Sequence, residues 1–112
     1  MKRIEMIIRP EKVEAVRSAL EKVGCAGLMI SEIEGHGKQK GVVQQWRGEK
    51  YKVELLPKLK IEVVVRDQDL ERVTKAIIDS AKTGEIGDGK IFISSIENAI
   101  RIRTGERGEE AL

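Results

Sequence analysis

The strongest chemical suggestion in this sequence is a run of glycines that ends on a lysine, Thr83-Gly84-Glu85-Ile86-Gly87-Asp88-Gly89-Lys90. Glycine permits positive φ and lets backbone N–H groups crowd around an anion. Lys90 adds a point charge at the edge, so the segment suits a polyphosphate; the same glycines also suit a plain turn. Gly84, Gly89 and Lys90 match most of the G-x-x-x-x-G-K-[ST] spacing, but Ile91 stands where a hydroxyl would hold Mg²⁺. The segment also follows a helix rather than a strand, which excludes a P-loop NTPase. Arg101 and Arg103 alternate, so on an extended chain they project to one side and, with Lys90, suit phosphate oxygens; as a pair they also suit a solvated basic edge. Gly35-His36-Gly37-Lys38 offers a second pliable backbone beside a cation. His36 reads as a loop or stacking residue rather than a metal ligand.

Composition narrows the chemistry. Charged residues make up 36% of the 112 positions, yet the formal net charge is only +2. That balance argues against a dedicated nucleic-acid clamp. An RNA-binding sheet would carry stacking aromatics, and the expected strands carry only Phe92. One cysteine, Cys25, and one histidine, His36, give no disulfide, no CxxC clip and no nucleophile–base pair. The chain is therefore expected not to be an enzyme; the alternative is an enzyme of phosphate compounds on the same fold. No apolar run approaches the ~20 residues that span a bilayer, and the N-terminus lacks the apolar stretch of a signal peptide. A cytoplasmic protein is expected.

The elements that must position these residues follow from periodicity. Ile4, Met6 and Ile8 alternate on a strand over Lys2 to Arg9, with Ile7 making its other face half apolar. Pro10 opens a helix whose stripe is Val13, Val16, Leu20 and Val23, stopped at Gly24. A second strand is expected over Gly27 to Gly35 and a third over Pro57 to Arg66. A helix capped by Asp67 or Asp69 then carries Leu70, Val73, Ile77 and Ala81. A fourth strand, Lys90 to Ile96, an extended piece, Ala99 to Arg103, and a mobile polar tail from Thr104 complete the order. The result is an α+β, ferredoxin-like βαββαβ sandwich: a four-stranded antiparallel sheet with two helices on one face. A second subunit is the expected cover for the other face. Between strands two and three, residues 37–55 form a long aperiodic loop, of a length that is usually functional. It holds Trp46 and Tyr51 beside Arg47, residue types that anchor interfaces.

These segments resemble the nitrogen regulatory P-II family. Trp46-Arg47-Gly48-Glu49-Lys50-Tyr51 resembles its loop signature, and Thr83 to Phe92 its second signature. Arg101-Ile102-Arg103-Thr104-Gly105-Glu106 is similar to its C-terminal motif, while Lys2-Arg3-Ile4-Glu5 and Leu56 to Glu62 fit as well. The resemblance spans residues 1–112 as a single domain, with a partner-binding loop at 37–55, a phosphate-binding loop at 82–90 and a C-terminal loop and tail at 102–112. It implies a homotrimer that binds ATP or ADP between subunits and senses nitrogen, carbon and energy status. The implied nucleotide contacts are Gly87, Asp88, Gly89 and Lys90 from one subunit and Arg101, Ile102 and Arg103 from the next. Gly35, His36, Gly37, Lys38 and Gln39 would lie along the ligand, and Ile7, Met29, Glu62 and Val64 would surround adenine and ribose. Gln39 would help hold Mg²⁺ with ATP and 2-oxoglutarate, and Gln39, Lys40, Gly41 and Lys58 would bind that oxoacid. Trp46, Arg47 and Tyr51 would meet the partner, with Tyr51 at the modified position. The implied partner is an ammonium transporter, which would recruit the protein to the inner face of the membrane; glutamine synthetase, nitrogenase or a modifying enzyme are the alternatives.

Overall fold

A computed structural model describes residues 1–25, 27–37, 44–46, 49–51 and 54–112. Strand β1 (Lys2–Ile8) leads through a 3-10 turn at Pro10–Lys12 into α1 (Val13–Lys22). Strand β2 (Met29–Gly37) follows, then two short strands, β3 (Gln44–Trp46) and β4 (Glu49–Tyr51), and the long β5 (Glu54–Val65). A 3-10 turn at Asp67–Asp69 starts α2 (Leu70–Ala81), and β6 (Lys90–Ser95) completes the sheet.

The sheet order is β2-β5-β1-β6, and every described pairing in it is antiparallel. This is the expected ferredoxin-like arrangement. Ile4 lies opposite Val63 and Ile93, and Met6 opposite Ile61 and Ile91, so one face of the sheet is continuously apolar. Val16 and Leu20 from α1 and Val73, Ile77 and Ala81 from α2 close over it. Both helices therefore occupy the same face, each turning to it the stripe that the three- and four-residue spacing of its apolar positions makes. Burial of each Val, Leu, Ile or Met side chain among these contributes roughly 1.5–3 kcal/mol.

The opposite face mixes chemistry. Across it run Met29, Glu62 and Glu5 in one row, and Ser31, Lys60 and Ile7 in the next. Lys60 Nζ lies 3.1 Å from a Glu5 oxygen and 3.3 Å from a Glu62 oxygen. Glu5 first, then Glu62, pushes the Lys60 pKa up.

Four expectations need correction. The segment 37–55 is not wholly aperiodic: β3 and β4 pair as a small ribbon, Gln44 opposite Tyr51 and Trp46 opposite Glu49. β5 begins at Glu54, before Pro57. At that point only β2 lies beside it, since β1 pairing stops at Leu59, so a residue without an N–H is tolerated. Asp69 makes no side-chain cap bond; its carboxylate accepts instead from Arg66, 2.9 Å, and Arg72, 3.1 Å. Finally, Ala99 to Arg103 is not a free extended piece, and the tail after it is built into the fold. Ile100 bridges Arg107, and the Gly105 N–H closes on the Arg101 carbonyl at 2.7 Å, with Gly105 at φ +75°. A 3-10 turn at Gly108–Ala111 then brings Leu112 to a cleft shared with Val23, Cys25 and Arg72. Among the described residues no helix is long and apolar enough to cross a membrane.

Candidate functional site

The glycine loop leaves the C-terminal end of α2 and returns into β6. Gly84, Gly87 and Gly89 all adopt positive φ, +90°, +103° and +104°, where glycine avoids the penalty an L side chain meets. Gly89 is fixed by space as well. A Cβ there would lie 1.7 Å from the Ile7 carbonyl oxygen, so the loop is seated directly on the end of β1.

Asp88 organises the loop from inside. Its carboxylate accepts from the Thr83 and Gly84 N–H groups, each 2.9 Å, from the Thr83 hydroxyl and from Arg9 Nε at 3.2 Å. The Thr83 hydroxyl first, with the two amides and Arg9, holds this carboxyl well below the usual carboxylate range. Arg9 also donates to the Ile86 carbonyl at 2.8 Å. Lys58, only 8% exposed, donates to the Gly87 carbonyl at 2.8 Å. Burial, then the neighbouring Arg9 charge, pushes the Lys58 pKa down. On the helix side, between α2 and β6, the loop borders a cavity of about 350 Å³ lined by Ile8, Ile77, Ala81 and Ile91.

The residues singled out from the sequence fall into three groups. Ile7, Met29, Glu62 and Val64 share the open face of the sheet: Met29 lies opposite Glu62, and Ile7 lies opposite Lys60 and Lys90. Met29 is 56% exposed there. The second group is elsewhere. Arg101 donates to Glu106 at 2.7 Å and to the Leu112 carbonyl at 3.3 Å, and Ile102 and Arg103 lie on the exposed turn between. Leu112 sits beside Arg66, Asp69 and Arg72, at the N-terminal end of α2. The glycine loop begins at the other end of that helix, about 18 Å away by helical rise. One chain therefore does not bring Arg101 to Lys90. In the third group, Gly35, His36 and Gly37 continue β2, Trp46 ends β3 and Tyr51 ends β4. Lys38, Gln39, Lys40, Gly41 and Arg47 lie outside the described residues.

A family model described as nitrogen regulatory protein P-II matches residues 1–106. The chain belongs to that family. Nitrogen regulatory protein P-II 2 of Methanothermobacter thermautotrophicus is 53% identical over 112 residues, covering all of this chain and 97% of the relative. The P-II proteins of Nostoc punctiforme, 53% identical, and Rhizobium meliloti, 51% identical, align over the full length of both chains. Membership makes this a nitrogen regulatory signalling protein that works on partner proteins.

Within this P-II chain, sequence reasoning gave Arg9 no role and named Thr83 and Glu106 only as members of motifs. Arg9 precedes Pro10 and reads only as the end of a strand, but its side chain reaches the loop 79 positions away. Thr83 carried a visible signal: a hydroxyl five positions before Asp88, with glycines between. Cys25 gains nothing as a nucleophile, because burial pushes its thiol pKa up.

Proposed function

We propose that this P-II protein binds ATP and ADP in competition at the glycine loop, and that the ligand held sets the posture of residues 37–55 toward a partner. The posture of the loop carries the reading: three left-handed glycines, with the Asp88 side chain turned inward, leave main-chain donors and Lys90 to meet an anion. Met29, Glu62, Val64 and Ile7 on the adjoining open face supply a seat for base and sugar. Arg101 lies toward the opposite end of α2, so the phosphates that Arg101 and Arg103 would meet are those of a nucleotide on a neighbouring subunit, a reading that goes with a homotrimer. Lys58 and segment 39–41 would take 2-oxoglutarate. Among the described residues no three His, Cys, Asp or Glu side chains gather to hold a metal, so Mg²⁺ would draw oxygens from the nucleotide and Gln39.

Ligands that differ in a γ-phosphate favour different loop conformers, and a partner that selects one conformer is reciprocally coupled to the ligand. The partner is an ammonium transporter, which brings a cytoplasmic protein to the membrane surface. Calorimetry tests the binding reading. ATP and ADP should compete for one site per chain, and Lys90→Ala should weaken both by about tenfold to a hundredfold, as loss of a charged donor to phosphate implies. Unchanged affinity would remove the glycine loop from the site. Sedimentation should give three chains per particle; a monomer would leave Arg101 without its role.

A further inference from the structure

Three consecutive residues of the glycine loop are tied back by cations from elsewhere in the chain, Lys58 in β5 and Arg9 just after β1. The Ile86 carbonyl accepts from Arg9 at 2.8 Å, the Gly87 carbonyl from Lys58 at 2.8 Å, and the Asp88 carboxylate from Arg9 at 3.2 Å. A trans peptide points its C=O and N–H in opposite directions. Holding the carbonyls of Ile86 and Gly87 toward β1 and β5 therefore turns the N–H groups of Gly87 and Asp88 the other way. Two successive N–H groups turned to one side form the start of an anion-binding concavity.

Arg9 occupies a special place in this arrangement. The other donors to Asp88, Thr83 and Gly84, lie within five positions of it and belong to the loop. Arg9 alone among the described donors to that carboxylate comes from outside, from the end of β1. Its planar fork spans Gly87, with one arm on the residue before and one on the residue after. Lysine, a single point charge, lacks that fork. Its side chain is 19% exposed and that of Asp88 24%, so the pair is partly shielded from solvent.

We propose that Arg9 is a positioning residue for the nucleotide: acting through Asp88 and the Ile86 carbonyl, it sets the direction of the Gly87 and Asp88 amides. The ligand part rests on the nucleotide reading above; the loop part does not. The test uses Arg9→Lys, Arg9→Met, Asp88→Asn and the double variant Arg9→Met with Asp88→Asn. Arg17→Met serves as control, because Arg17 pairs with Glu14 on the exposed side of α1. Amide hydrogen exchange of Thr83 and Gly84 is read without nucleotide, and ATP affinity by calorimetry.

Arg9→Met and Asp88→Asn should each speed exchange at Thr83 and Gly84 about tenfold and weaken ATP about tenfold. The double variant should be no worse than the worse single one, and Arg9→Lys should restore part of both losses. Unchanged exchange in Arg9→Met overturns the inference whatever Asp88→Asn does, as do losses that simply add in the double variant. If Arg9→Met fails to fold, Arg9→Lys and Asp88→Asn decide in the same way. A wild-type protein that ignores ATP while Arg9→Met loses amide protection would sink the nucleotide reading and keep the loop inference.

Discussion

Two loops flank α2, one at each end, and they hold their shape by different means. At the C-terminal end the glycine loop is built around one carboxylate that accepts from both main chain and side chains, and it presses its backbone onto β1. At the N-terminal end the turn Ile102–Thr104 is closed by backbone bonds, while Arg101 is tethered to Glu106 and to the last carbonyl. The first is held by ties within its own chain, so the phosphate proposed for it would meet donors already aimed. The second keeps its cation on two oxygen partners, which phosphate oxygens would replace in the proposed reading. A cleft between subunits that joins one rigid wall to one exchangeable arm would recognise phosphate with the first and close with the second.

The sharpest way to break this contrast is to add one methyl group to each loop. In Gly89→Ala the Cβ meets the Ile7 carbonyl at 1.7 Å and the residue is held at φ +104°. ATP binding should fall more than a hundredfold, with a stability loss at or above the ~1–3 kcal/mol of ordinary backbone strain. Gly105→Ala is also strained at φ +75°, but nothing lies within 4 Å of its Cβ. It should lose only about 1–2 kcal/mol and keep ATP affinity within about threefold. Equal damage at both sites, read by calorimetry and thermal melting, would erase the distinction.

An intermediate effect comes from acid. Hydrogen bonds from Thr83, Gly84 and Arg9 depress the Asp88 pKa in the folded chain. Its contribution to stability is therefore fully present above the unfolded value, about pH 4, and is lost as pH falls through the lower folded value. Melting curves from neutral pH downward should show a fall on the acid side that Asp88→Asn lessens. An identical acid profile in both proteins would mean that Asp88 does not feel those donors. The smallest effect is expected at the other loop. Glu106→Gln removes a half-exposed ion pair, worth ~0–1 kcal/mol, and frees Arg101. Stability should barely change, and ATP affinity of the assembled protein should rise by up to about fivefold. A weakened affinity would show that Glu106 aims Arg101 rather than restrains it.

The scaffold around these loops was legible because burial imposes periods. Ile4, Met6 and Ile8 alternate on a half-buried strand, and Val73, Ile77 and Ala81 recur on one face of a helix, as their burial confirms. The β3–β4 ribbon leaves no such mark. Its two strands, Gln44-Gln45-Trp46 and Glu49-Lys50-Tyr51, are three residues each, too short to show a period, and belong to a two-stranded sheet separate from the main one. Arg101-Ile102-Arg103 does alternate and so reads as extended, yet Gly105 folds the chain back within four residues. Within the site, the glycines announced positive φ correctly, because only the backbone was at issue. The tie from Arg9 to Asp88 was hidden, since residues 79 positions apart share no local pattern.

The seat of Gly89 on Ile7 has a further consequence for how this pair can drift. The crowded atom on β1 is a main-chain oxygen, common to all twenty amino acids, whereas the crowding atom on the loop is a hydrogen that only glycine can present. As far as this contact goes, position 7 can exchange its side chain without unseating the loop, and position 89 cannot. A substitution at 7 should therefore spare the loop's fit even where it alters the base seat proposed for Ile7, whereas one at 89 should destroy the fit itself.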